Sequence, residues 1–388
     1  MLTLRLPPEI LDHIVDLLQD HPHALNQCCL VSKSWIPRTR KHLFAEVHLS
    51  SRVLLKSWKN AFPDPVSSPG YHTHTLSVCR TLGDVGGGSW VTSFPRVKQL
   101  DFALSGHGPI DVPFAAFHRL SSSIKSLKIT FTIPHPHVFN LILSLPLLED
   151  LELRGKEISA DGEKSEGQQT AVSSPTSPAL TGTLILLLFA GMVGIPSSLL
   201  DLPGGLHFRK LGLLFHEEGG LLWAALLVAA CSDTLEYLEL EYLTDSTLDS
   251  ISSLVPSFPD HLLTDPTPPG RINLSGATKL ESIVFICSAQ SSEWIITTLE
   301  TLMPNNRDLR QISIRFPFTV GHAEERDPGL RWSDLDRLLV QICEQYPVRV
   351  KVSSRWRQMI ESRVGKVFPE MTERGLVDLV DEVPYLRI

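Results

Sequence analysis

The sequence predicts an α/β repeat solenoid: a parallel sheet laid down one strand per repeat, behind a short three-helix N-terminal module. Three observations carry that prediction. An apolar-x-x-apolar-x-apolar pattern recurs seven times between Val97 and Ile314. Helix-prone or irregular connections separate the recurrences, and the first 44 residues show helical periodicity in place of the strand pattern. Strand, right-handed crossover and parallel strand is the unit such spacing implies.

The N-terminal module comes first. Pro7-Pro8-Glu9 opens a run in which Ile10, Leu11, Ile14, Val15, Leu17 and Leu18 recur at helical spacings, with proline in the first turn, where its missing N–H does no harm. A second apolar run covers Ala24 to Val31, then Ser32-Lys33-Ser34-Trp35, and Pro37 restarts a basic helical turn that closes at Leu43-Phe44. Three helices in so short a span cannot bury their own apolar faces. They need a neighbouring domain, a partner, or both.

The repeats follow. The pattern reads Val97-x-x-Leu100-x-Phe102, Ile124-x-x-Leu127-x-Ile129, Leu148-x-x-Leu151-x-Leu153 and Phe208-x-x-Leu211-x-Leu213. It continues as Leu235-x-x-Leu238-x-Leu240, Leu280-x-x-Ile283-x-Phe285 and Leu309-x-x-Ile312-x-Ile314. Successive central positions lie 27, 24, 60, 27, 45 and 29 residues apart, so the two long gaps imply a hidden repeat or an insertion. The apolar run Leu184 to Ile195 is the hidden strand and the start of its connection: twelve residues fall short of the ~20 a membrane span needs. Thr73-x-x-Leu76-x-Val78 is a weaker, earlier recurrence. Connections fall at Phe114 to Leu120, Val138 to Leu145, Leu221 to Ala230 and Trp294 to Met303.

Two segments interrupt the series. Residues 155–183 are rich in Ser, Gly, Glu, Gln and Thr, lack apolar periodicity and read as a disordered insertion. Its Ser174-Pro175 and Ser177-Pro178 suit a proline-directed kinase. Residues 257–270 carry four prolines and read as a long loop. Trp332 to Tyr346 is amphipathic and helical, Val348 to Val352 alternates as a strand, and residues 353–388 read as a helical cap on the last sheet edge. The expected organisation is therefore a helical module over 1–44, a solenoid over 45–352 and a cap over 353–388.

Composition bounds the function. The chain has 388 residues, enough for two or three domains of ~150, and a net charge of −8. That sign argues against nucleic-acid and anionic-membrane surfaces, both of which call for clustered positive charge. Six scattered cysteines, with no C-x-x-C and no zinc spacing, point to a reduced cytoplasmic or nuclear setting. His72 and His74, like His135 and His137, lack a cysteine or carboxylate at ligand spacing, so no metal is expected. Gly83 to Gly88 lacks the Lys-Ser/Thr of a phosphate loop, no G-x-S-x-G occurs, and neither Asp327 nor Glu344 has catalytic company. No enzyme activity and no cofactor are expected.

Alternation on the strands selects an open face. It carries Asp101, Lys128, Glu152, Glu239 and Ser313, with Ala103, Thr130, Arg154, Glu241 and Arg315 alongside.

Residues 6 to 44 resemble an F-box, whose pattern is L-P-x-E-[IL]-x-x-x-I at the start and L-V-[SC]-[KR]-x-W near the end. The matches are Leu6, Pro7, Glu9, Ile10 and Ile14, then Leu30, Val31, Ser32, Lys33 and Trp35. The remainder resembles a degenerate leucine-rich-repeat array, and Phe368 to Gly375 resembles the ending of many fungal F-box proteins of that type. The array departs from the consensus, whose ninth position is Asn or Cys, because Ser105, Thr132, Lys156, His216, Leu243, Ser288 and Pro317 stand there.

The resemblance implies a substrate-recognition adaptor of a cullin–RING ubiquitin ligase. The F-box would bind the Skp-type linker through Leu6, Pro7, Ile10, Ile14, Leu30, Val31 and Trp35. The repeats would hold a client protein through Asp101, Lys128, Glu152, Arg154, Glu239, Glu241 and Arg315, and other subunits would perform the ubiquitin chemistry. The competing reading is a repeat scaffold whose N-terminal helices are only a cap, with no ligase role.

Overall fold

A computed structural model of the chain describes residues 7–65, 67–79, 88–104, 112, 114–131, 136–155, 178, 180–188, 194–202, 204–243, 271–287, 292–302, 306–316, 331–354, 361 and 364–381. Leu6, Ser174, Ser177 and the proline-rich 257–270 segment lie outside the described residues. Two compact units are present, one reaching Leu148 and the other beginning at Glu149.

The first unit opens with three helices, α1 (Pro8–Leu17), α2 (Pro22–Val31) and α3 (Ile36–Leu43), each with a proline in its first turn. Strand β1 (Glu46–Leu49), helix α4 (Arg52–Ala61) and strands β2 (Thr75–Cys79), β3 (Gln99–Leu104) and β4 (Ser126–Phe131) follow. The strands pair parallel in chain order, with Val47 beside Leu76, Leu76 beside Leu100, and Leu100 beside Leu127.

The last residue of the expected 1–44 module packs against the elements that follow it. Phe44, at the end of α3, packs edge-on against Trp58 at 5.8 Å, and Trp58 stacks on Phe94 at 5.2 Å. The Thr73 hydroxyl donates to the Phe44 carbonyl at 2.9 Å. The end of α3 is therefore anchored to the strands and connections that follow.

The second unit contains β5 (Asp150–Gly155), β6 (Thr183–Leu188), β7 (Lys210–His216), β8 (Tyr237–Leu243), β9 (Ser282–Cys287), β10 (Gln311–Phe316), β11 (Arg349–Ser354) and β12 (Val377–Asp381). Each pairs parallel with the next. Every residue of the seven apolar triplets is at most 1% exposed, so the pattern marks the strand faces turned to the core. Connecting elements supply the opposite wall: Phe102 meets Phe117 at 5.0 Å, and Phe285 meets Trp294 at 5.4 Å.

The strands start from a recurring backbone device. One carbonyl accepts two successive N–H groups of the next repeat: His74 O from Lys98 and Gln99, Arg209 O from Glu236 and Tyr237, Glu236 O from Glu281 and Ser282. Buried backbone polar groups must be paired, and here the pairing is built from main chain alone. One buried amide adds to it, since Asn306 Nδ2 donates to the carbonyls of Leu274 and Ala277.

The long gaps in the sequence pattern resolve differently. The 60-residue gap holds β6, formed by the Leu184 run, whereas β8 and β9 pair directly across the 45-residue gap, which is thus an insertion. The expected insertion at 155–183 is too wide. Gly155 ends β5, Leu180 is fully buried, and Thr183 begins β6. Gly182 is tied in as well: its N–H donates to Glu149 O, and the next N–H, of Thr183, donates to Asp150 Oδ1 at 2.7 Å. A Cβ on Gly182 would sit 2.3 Å from that same carboxylate oxygen, so only glycine passes so close.

The C-terminal cap over 353–388 also needs correction. Ser353 and Ser354 belong to β11, and Val377 to Asp381 extends the sheet as β12, because Val377 and Leu379 alternate with Asp378 and fit a strand. Helix Pro369–Glu373 precedes β12. It is held by buried Asp336, on helix Trp332–Gln345, whose carboxylate accepts the N–H groups of Glu370 (2.8 Å) and Met371 (3.1 Å). A carboxylate on the free N–H groups of a helix start is a capping arrangement.

Candidate functional site

The sequence offers two candidate surfaces, the N-terminal helices and the open sheet face, and each is described within its own unit.

On α1 the apolar residues divide between two faces. Val15 is buried and Leu11 and Leu18 are half-buried, while Ile10, Ile14 and Leu17, at i, i+4 and i+7, are exposed on one stripe. On α2, Leu25 and Cys28 are buried, and the helix ends in Leu30 and Val31, which are 81% and 68% exposed. Pro7 is exposed and caps α1, its carbonyl accepting from the N–H groups of Ile10 and Leu11. Trp35 is half-buried in the short 3-10 turn Lys33–Trp35, which packs against both α1 and α2.

What fixes this outward display is polar. Arg38 Nε on α3 donates to Asp16 Oδ1 on α1 at 2.6 Å, its Nη2 pairs with Oδ2, and His42 Nε2 lies 2.6 Å from Oδ1. The Arg38 guanidinium, with His42, holds the Asp16 carboxyl well below the usual carboxylate range. Buried Thr39 donates to the Trp35 carbonyl at 2.7 Å. The inner face of α1 is thereby pinned by α3, and Ile10, Ile14 and Leu17 stay outside, flanked by the exposed polar residues Glu9, Asp12 and His13. Sequence reading missed Leu17, one turn beyond Ile14, which the helical period could have supplied.

On the sheet, Asp101 and Lys128 are register partners on β3 and β4 of the first unit. The other five residues expected to meet a client, Glu152, Arg154, Glu239, Glu241 and Arg315, lie in the second unit. Glu152 and Arg154 pair with each other along β5. Glu239 on β8 and Arg315 on β10 meet at 3.5 Å, and the Tyr237 hydroxyl donates to Glu239 Oε2 at 2.7 Å. Glu241 lies one pleat further along β8, in register with Leu214 and Ile286.

Burial, with the Glu239 charge beside it, raises the Glu241 carboxyl to about 7. Burial likewise pushes the Tyr237 phenol above its ordinary range, with Glu239 adding to the effect. Tyr237 was missed by the sequence reading, although it precedes Glu239 by two residues and so shares its face.

Among the described residues, no group of three or more His, Cys, Asp or Glu side chains is placed to hold a metal ion. No helix among them is long and apolar enough to cross a membrane. Neither a protein-family model nor a curated protein matches the chain.

Proposed function

We propose that the chain is a substrate receptor of a cullin–RING ubiquitin ligase, its N-terminal helices docking on the Skp-type linker and its leucine-rich-repeat-like strands presenting a client. One observation carries this reading. Pro7, Ile10, Ile14, Leu30 and Val31, all matches to the F-box pattern, are exposed in the folded chain, while Trp35 is half-buried. A module serving only as a solenoid cap needs a polar outer face. Here the outer stripe of α1 and the end of α2 are apolar, and exposed apolar patches of this kind mark interaction sites.

The energetics fit a docking surface. Burying a Leu-sized side chain contributes roughly 1.5–3 kcal/mol, and two such anchors account for a hundredfold or more in affinity. The test is co-purification of the full-length chain with a purified Skp-type linker. Pro7→Ala combined with Val31→Asp removes the linker while circular dichroism of the chain stays unchanged. Normal linker recovery by that folded variant would rule out the F-box assignment and leave a repeat scaffold with helices that serve as a cap.

A further inference from the structure

On the face of β8 that carries Glu239 and Glu241, the two carboxylates are unequally paired among the described residues. Strand β9 lies between β8 and β10, so Glu239 and Arg315 start two strand spacings apart across the sheet, roughly 9.6 Å, and one row apart along it. Their side chains nevertheless close to 3.5 Å. They bridge over β9, whose face residues Val284 and Ile286 are only 1% and 2% exposed. By register Arg315 stands in the row of Glu241, across Ile286, yet it leans back one row to Glu239. Glu239 is thus engaged from two sides, by Arg315 and by the Tyr237 hydroxyl.

Glu241 is left in a different position. It is half-buried, its register neighbours Leu214 and Ile286 are apolar, and no ion pair to it is present among the described residues. The charged group nearest along its own strand is Glu239, of the same sign. Buried or half-buried charges are ordinarily paired, because an uncompensated one loses hydration without gaining a partner. A carboxyl group half-buried without a counter-charge among the described residues marks a candidate site, one that a cation from outside would complete.

The surroundings define the partner. The row Leu187, Leu214, Glu241 runs across β6, β7 and β8 in register, and both leucines are half-buried. It forms an apolar approach of about 10 Å ending in a carboxylate. Arginine and lysine have matching construction, an aliphatic stem that lies on apolar surface and a cationic head. The net charge of −8 steers the same class of partner.

We infer that Glu241 receives an arginine or lysine side chain of an extended client segment, with Leu187 and Leu214 contacting its stem. The inference rests on the client-binding half of the proposed function and is independent of the linker.

The test uses the full-length chain, immobilised without any linker, and four pools of random-sequence peptides whose central residue is fixed as Arg, Lys, Gln or Glu. The Arg or Lys pool is retained about tenfold or more over the Gln pool, as expected for one ion pair with packing at its stem. That preference vanishes in Glu241→Gln and survives in the control Glu293→Gln, an exposed helix position. Which cationic pool leads separates guanidinium from ammonium recognition. Equal retention of all pools, or a preference that persists in Glu241→Gln, overturns the inference. If the Gln variant does not fold, wild-type carboxyl titration by NMR decides: the Glu241 midpoint falls when an enriched peptide is bound, and an unchanged midpoint overturns the inference. Loss of linker binding alongside an intact peptide preference would overturn only the adaptor reading.

Discussion

Replacing Glu241 with Gln should stabilise the protein at alkaline pH and leave it nearly unchanged in acid. In the folded chain burial raises this carboxyl from its ordinary 4.5 to about 7, so the folded form binds the proton more tightly than the unfolded form does. Stability linked to that proton is complete below about 4.5 and falls as pH rises towards 7, where the carboxylate must ionise in place. At about 1.4 kcal/mol per tenfold difference, the cost of keeping Glu241 ionised at pH 8 is about 3 kcal/mol, and about 1 kcal/mol or less at pH 5. Gln has the shape of the protonated acid and no charge to desolvate. Urea unfolding of wild type and Glu241→Gln at the two pH values measures the difference directly. Equal stabilities at pH 8, or a gain of the same size at pH 5, would refute the placement of Glu241 as an uncompensated carboxylate.

Two further substitutions probe the supports of the two surfaces. Asp336→Ala leaves the N–H groups of Glu370 and Met371 without their acceptor inside the fold, which should cost about 2–4 kcal/mol; accelerated hydrogen exchange at Glu370, Met371 and β12 checks it. Asp16→Asn breaks the Arg38 and His42 contacts between α1 and α3, so exchange at Val15 should quicken while β2–β4 stay protected. Because the Arg38 guanidinium depresses the Asp16 carboxyl from its ordinary 3.8, the contribution of this carboxylate is present above that value. It is lost as pH falls through the depressed one, and added salt should weaken it.

The strands were legible because each repeat turns one apolar triplet inward: the second and third residues of every triplet, from Leu100 to Ile314, fall on buried strand positions, and the first lies buried two residues ahead of its strand. Strand β6 was harder to see, since Leu184 to Leu188 is apolar on both faces and period two vanishes there. Strand β12 was read as helix because a lone edge strand of five residues carries too little alternation to outweigh the helical spacing around it. On α1, apolar residues occupy both faces, and only packing against α3 decides that Val15 goes in and Ile10, Ile14 and Leu17 stay out. The Glu239–Arg315 bridge was out of reach for a related reason. It joins strands separated by β9 and by a 45-residue gap in the repeat pattern, so it depends on sheet order, which spacing alone does not supply.

The central claim, that the outer faces of α1 and α2 are a linker-binding surface, is tested most directly by hydroxyl-radical footprinting of the full-length chain with and without saturating Skp-type linker. Ile10, Ile14, Leu30 and Val31 should become protected, while Val53 and Leu54, exposed on neighbouring α4, keep their reactivity. Protection confined to Val53 and Leu54, or none at any of these positions, would contradict it.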